Sequence, residues 1–189
     1  MSVNIMICGV GGQGTLLASR VIGRVFLQCG DDVKISEVHG MSQRGGSVVT
    51  YVRAGRKVYS PVIKQGEADF ILSFEKLEAA RYIEMLKADG TVVTNTQEIA
   101  SMPVITGAAV YPGDVLDTLR AAGIRVDALD ALALAREAGT ERAVNVVLLG
   151  HLSRYFDFPE NVWTDALKET VKPAFLEMNL KAFALGRGN

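Results

Sequence analysis

Cysteine is nearly missing from this 189-residue chain, with Cys8 and Cys29 the whole supply. An iron–sulfur cluster ordinarily draws on four thiolates, so the chain cannot house one by itself. Histidine is as sparse: His39 and His151 stand far apart in sequence, and no Cys-x-x-Cys occurs. A zinc site of ordinary ligand spacing is therefore not expected. No apolar run reaches the about 18 residues that would suggest a bilayer span. The start, MSVNIMICG, carries no basic leader ahead of its apolar stretch, so no signal peptide is read and the cytoplasm is the expected compartment. An excess of charge of either sign is missing too. Twenty Lys and Arg balance 21 Asp and Glu, a net charge of −1, which gives no general pull toward nucleic acid or an anionic membrane.

What is present is the composition of a globular protein, 49% apolar and 22% charged, with length for one domain over 1–189. Residues 3–8 form a continuous apolar run, as in a strand covered on both faces. Residues 15–29 carry a helical stripe of Leu17, Ala18, Val21, Ile22, Val25 and Phe26, with Gly30 as its stop. VKISEV, 33–38, completes an expected βαβ unit. Two β-rich runs flanking Ala54-Gly55-Arg56 predict a hairpin. ADFILSF (68–74), TVVTNT (91–96) and IRVDAL (124–129) read as strands; 75–90 and 115–123 read as helices. From Ala131 the chain is mostly helical, broken at Gly139, near Pro159 and near Pro173. The pattern predicts a Rossmann-like three-layer α/β domain with a mostly parallel sheet, a β-hairpin insertion and a helical C-terminal region.

The first strand runs into GVGGQGT, with Gly9, Gly11, Gly12 and Gly14 ahead of Thr15. Glycines at a strand-to-helix turn permit positive φ, bring backbone N–H groups close to a ligand and let helix and strand pack tightly. The helix N-terminus adds partial positive charge, so an anion is favoured there. Thr15 could offer its hydroxyl to a phosphate or cap the helix. Three readings stay open at this point: a dinucleotide, another phosphate-bearing ligand or partner surface, and a structural turn. Glu37, 23 residues past Gly14, is the candidate for a ribose-binding acid. A second glycine-bearing loop, HGMSQRGGS, should emerge at the same sheet edge. There Ser42, Arg44, Gly45 and Gly46 could form an anion site, Arg44 through its bidentate fork; otherwise the glycines merely open a hairpin. His39 reads as a structural loop histidine before an acid or base.

No nucleophile motif marks a catalytic triad, and no catalytic residue is assigned. Glu75, Glu78 and Glu84, with Lys76, Arg81 and Lys87, read as a solvated helical face. Cys8 and Cys29 read as core residues. Asn145, in apolar company, needs partners and is expected to cap a neighbouring loop. Trp163, Phe175, Leu176, Leu180 and Phe183 read as core or as a docking face.

Taken together, GVGGQGTLLASRVIG, SEVHGMSQRGGSVVTYVR, ADFILSFEKLEAAR, TVVTNT, NVVLLGHL and NLKAFALG resemble the gamma-type subunit or domain of the 2-oxoacid:ferredoxin oxidoreductases, most of all its indolepyruvate branch. The resemblance spans almost the whole chain. It implies a Rossmann-like fold and a part in the oxidative decarboxylation of a 2-oxoacid to an acyl-CoA, with electrons passed to ferredoxin. Thiamine diphosphate and iron–sulfur clusters are then expected in a larger partner subunit, through which ferredoxin is met. Coenzyme A is a candidate ligand at a shared site built from Gly9, Gly11, Gly12, Gly14, Thr15, Ser42, Arg44, Gly45 and Gly46. The isolated chain would be inactive, and its uncovered docking surface would favour a homodimer. Two other readings are a free-standing NAD(P)- or FAD-binding oxidoreductase and a non-catalytic scaffold subunit.

Overall fold

A computed structural model describes residues 2–37 and 45–188. Its order is β1 (Val3–Val10), α1 (Thr15–Gln28), β2 (Asp32–Ser36), β3 (Ser47–Gly55), β4 (Ala68–Ser73), α2 (Lys76–Arg81), β5 (Leu86–Asn95), α3 (Met102–Ile105), α4 (Val115–Ala121), β6 (Arg125–Leu129), α5 (Ala131–Ala138), α6 (Val144–Ser153), α7 (Glu160–Thr170) and α8 (Pro173–Arg187). Among the described residues one six-stranded sheet runs β2-β3-β1-β4-β5-β6. Pairs β1–β4, β4–β5 and β5–β6 are parallel, while β3 is antiparallel to both β1 and β2. The expected α/β sheet of mostly parallel strands is present.

The apolar run of β1 is buried on both faces. Ile5 and Ile7 join the core beneath α1, α6, α7 and α8, while Met6 and Cys8 join Ile71, Ala79 and Val92 on the opposite face. Alternation along one strand thus feeds two cores. Helix α6 is buried from Val144 to Ser153, which its nearly all-apolar sequence requires. Trp163 and Phe183 stack with ring centroids 6.0 Å apart in the same core; Phe175 is half exposed.

Four expectations change. The first βαβ unit is not built from neighbouring strands, because β3 lies between β1 and β2. The hairpin falls one strand earlier, as the antiparallel pair β2–β3, and the next strand after Gly55 is β4, which begins only at Ala68. There the Arg53 guanidinium donates to Ser60 O and Val62 O, and Val58 N donates to Asp32, so these backbone groups are taken by side chains. The helix expected over 75–90 stops at Arg81, and Gly90 lies inside β5, where pairing with β4 overrides helix propensity. Cys29 is exposed, as the residue that ends α1 on the solvent side; Cys8 is buried.

One polar cluster ties β6 to α6. Tyr155 Oη donates to Asp127 Oδ2 at 2.7 Å, and His151 Nε2 lies 2.8 Å from Asp127 Oδ1, within ion-pair distance but out of line for a hydrogen bond. Burial acts to raise the Asp127 carboxyl, but the contacts with Tyr155 and His151 outweigh it and hold the group below its ordinary value. A depressed carboxyl stabilises the fold above its unfolded pKa of about 3.9 and stops doing so as pH falls through the lower folded value. Asp127→Asn should therefore destabilise the chain at pH 6, and the gap from wild type should close as pH falls below about 4 in urea titrations.

Candidate functional site

The carboxyl ends of the parallel strands and the start of β3 share one edge of the sheet, and both glycine loops emerge there. Their backbones meet: Gly11 N donates to Gly46 O at 2.8 Å, just beyond the last β1–β3 partners, Val10 and Ser47. Gly45 and Gly46 thus lie beside Gly11. Ser42, Arg44 and His39 fall outside the described residues.

The first loop is held from inside. Gln13 Oε1 accepts from Val10 N at 2.7 Å and its Nε2 donates to Phe74 O at 3.0 Å, tying the loop to the end of β4. Asn95 Nδ2 also donates to Phe74 O, at 3.4 Å, and its Oδ1 accepts from Ala131 N at 3.1 Å. Asn145 Nδ2 donates to Gly14 O at 3.3 Å, the loop-holding role its burial demanded. Three amides therefore position the edge, and Gln13 and Asn95 were not singled out by sequence. Gly12 and Gly14 have φ of 98° and 86°, the left-handed region where an added side chain is strained. Gly14 itself occupies the N-cap position of α1, so Thr15 is the first helical residue rather than the cap.

Helix α1 has fourteen residues and no acidic residue in its first turn, leaving its positive end uncompensated there. A cleft of about 360 Å³ opens against it, with Gly12, Gln13 and Gly14 on one wall and Gln97, Glu141 and Arg142 among the residues opposite. Glu141 is paired with Arg136 at 2.8 Å, whereas the Arg142 guanidinium has no ion pair among the described residues. A second cleft of about 210 Å³ adjoins Gly11, Thr15 and Val48. The cleft beside Arg142 suits a phosphate or carboxylate: the glycine loop at a helix N-terminus and one cation line it. Arg142 was missed because its sequence signal was only the break after Gly139.

A third cleft, also about 210 Å³, joins Gly45 and Gly46 to Glu75, Glu78 and Met102. The two glutamates are 1% and 5% exposed, so the expected solvated face does not exist at these positions. Glu75 Oε2 accepts from Glu78 N at 3.0 Å, Oε1 accepts from Ile99 N at 3.2 Å, and Oε1 also accepts from Tyr111 Oη. Glu78 accepts from Ser47 Oγ and pairs with Arg81 at 3.0 Å. Burial, and then the bond to Glu75, push the Tyr111 phenol upward, so it stays a donor.

The dinucleotide reading loses its footing in this geometry. Glu37 faces Arg20, Nε to Oε1 at 3.3 Å, and its strand is two positions from β1, about 10 Å away at ordinary strand spacing. That is too far out for the ribose of a dinucleotide seated on the first loop. Cys8 is buried and its thiol is pushed up to about 12, mainly by burial, so it is no nucleophile at neutral pH. It is separated from Cys29 by α1, about 20 Å long, and the two cannot serve one cluster. Among the described residues no group of three His, Cys, Asp or Glu could hold a metal, and no helix is long and apolar enough to cross a membrane.

Comparison with known proteins adds the following. The family described as pyruvate ferredoxin/flavodoxin oxidoreductase matches residues 4–188. The indolepyruvate oxidoreductase subunit IorB of Thermococcus kodakarensis is 45% identical over 190 residues, 97% of this chain and 93% of its own length. The subunit of the same name from Pyrococcus horikoshii is 44% identical over 191 residues, again 97% and 93%. A solved 2-oxoglutarate:ferredoxin oxidoreductase from Magnetococcus marinus, with 2-oxoglutarate, coenzyme A and succinyl-CoA bound, shares the fold at a TM-score of 0.74 and 21% identity. That likeness covers 99% of this chain and 30% of the other.

Proposed function

This chain belongs to the pyruvate ferredoxin/flavodoxin oxidoreductase family, and we propose that it is the accessory subunit of a thiamine-dependent 2-oxoacid:ferredoxin oxidoreductase of the indolepyruvate type. In this reading it helps convert an aryl 2-oxoacid and coenzyme A to an acyl-CoA and CO2. Thiamine diphosphate, the clusters and the route to ferredoxin belong to a larger subunit. The residues of this chain do not suit those groups: its two cysteines cannot meet, and no metal set exists among the described residues. What the chain contributes is an edge where anionic cosubstrate can sit. The observation that carries the reading is the bond between Gly11 and Gly46, which brings two bare-backbone loops together, with the first loop walling the cleft that Arg142 faces. Gly9, Gly11, Gly12, Gly14, Thr15, Gly45 and Gly46, with Ser42 and Arg44 beyond the described residues, are proposed to line the shared site, and the phosphates of coenzyme A are the proposed ligand.

The chain alone should be colourless and should not reduce a viologen with arylpyruvates; adding the larger subunit should restore turnover. In the reconstituted complex Arg142→Ala should raise KM for coenzyme A about tenfold with kcat little changed, the loss of one charge-assisted bond of about 1.5 kcal/mol. Turnover by the isolated chain, or tight calorimetric binding of NAD(H), NADP(H) or FAD, would replace this reading with that of a free-standing oxidoreductase. An Arg142→Ala complex with unaltered KM for coenzyme A would favour a scaffold.

A further inference from the structure

Between β5 and α4 the chain makes a long excursion, and residues 99–113, IASMPVITGAAVYPG, contain no charged residue and no histidine. Three of its large apolar side chains stand in water: Met102 is 66% exposed, Ile105 65% and Val110 91%. The tip has a definite shape. Ile105 N donates to Ser101 O at 2.9 Å, Thr106 N to Met102 O at 2.9 Å and Ala109 N to Pro103 O at 3.0 Å. The root is pinned on both sides by one buried carboxylate, since Glu75 accepts from Ile99 N before the tip and from Tyr111 Oη after it. Lys76 adds a backbone bond to Gln97 O at 3.3 Å and an ion pair with Glu98. An uncharged, braced knob with uncovered apolar side chains is the signature of a surface that another protein covers.

We infer that this knob docks the larger subunit of the complex, which rests on the function proposed above. Met102 belongs to the rim of the cleft that also holds Gly45 and Gly46. A partner that completes a site at the glycine edge would meet the knob beside that cleft. In the Magnetococcus marinus protein the same fold occupies 30% of a longer chain, so further polypeptide is attached to the domain there. Another exposed apolar pair, Tyr59 and Val62, lies on the connection from β3 to β4, at the opposite edge of the sheet, and supplies the control.

The test is a titration of the larger subunit with the wild-type chain, with Ile105→Asp/Val110→Asp and with Tyr59→Asp/Val62→Asp, alongside thermal melts and sedimentation of each chain alone. The knob variant should bind at least tenfold more weakly while melting like wild type, and the control should bind within twofold. Met102→Lys repeats the measurement at a third exposed position should the double variant unfold. Wild-type binding by folded knob variants overturns the assignment. So does a knob variant that loses only self-association of the isolated chain, which would make the surface a homodimer contact. A wild-type chain that fails to bind the larger subunit overturns the functional reading itself.

Discussion

Gly186→Ala is expected to lower the melting temperature by roughly 6–12 °C, the consequence of at least ~3 kcal/mol of overpacking in a chain of this size. Helices α6 and α8 touch through their backbones. A Cβ on Gly186 would lie 2.0 Å from Val147 O and 2.7 Å from Val147 C, and one on Gly150 would lie 2.1 Å from Phe183 O. No rotamer relieves a clash with a carbonyl, so the two helices must part. They carry Val146, Leu149, Ala182 and Phe183, all fully buried, and separation loosens each of those contacts together. Gly150→Ala should cost about as much, and the double variant less than the sum, since one parting of the helices accommodates both methyls. Gly113→Ala is the control: it has open space within 4 Å and an ordinary φ, and should leave the melt unchanged or slightly raised. A Gly186→Ala chain melting within a degree or two of wild type would show that α6 and α8 are not in backbone contact.

That contact was invisible in sequence, for a reason that recurs. Periodicity reports which face of an element is apolar, so β1, α1 and the helical C-terminal third could be placed from residues alone. It does not report what lies between two elements. Nothing in VKISEV announces that β3 will insert beside β1, because strand order is decided by pairing partners distant in the chain. Likewise LKADG reads as the end of a helix, and only the pairing of Leu86 with Ala68 and of the following Thr91 with Phe70 draws it into β5. At the site, the glycines were legible because backbone freedom is written in the residue type. The convergence of the two loops was also legible, since strand polarity places both at one edge. Glu75 and Glu78 were not. A carboxylate in a charged helical pattern looks solvated, and the groups that justify burying it here, Ile99 N, Tyr111 and Ser47, lie 24, 36 and 31 residues away from their acids. Arg142 was hidden in the same way, since its proximity to Gly12 is created by the docking of α6 on α1.

Gly14→Ala should be the most damaging single change at the glycine edge, through two additive faults. Its φ of 86° costs a side chain about 1–2 kcal/mol in the left-handed region. Its Cβ would also lie 2.4 Å from Asn145 Nδ2, displacing the amide that donates to Gly14 O and leaving a buried polar group short of a partner, a further ~1–3 kcal/mol. Gly12→Ala separates the terms: φ is 98° but no atom lies within 4 Å of the added carbon, so only the first cost applies. Gly14→Ala/Asn145→Ala should then recover part of the stability lost by Gly14→Ala, with a coupling of about 1 kcal/mol in a double-mutant cycle. Function need not recover with it. On the coenzyme A site proposed above, the Gly14 backbone sets the course of the loop, so in the reconstituted complex KM for coenzyme A should stay raised at least tenfold in both the single and the double variant. A stable double variant with normal KM would mean that the first loop holds the fold together without touching the cosubstrate. A raised KM beside partly recovered stability would separate anion binding from the share of folding that Asn145 carries, because the left-handed strain at position 14 is present in both variants.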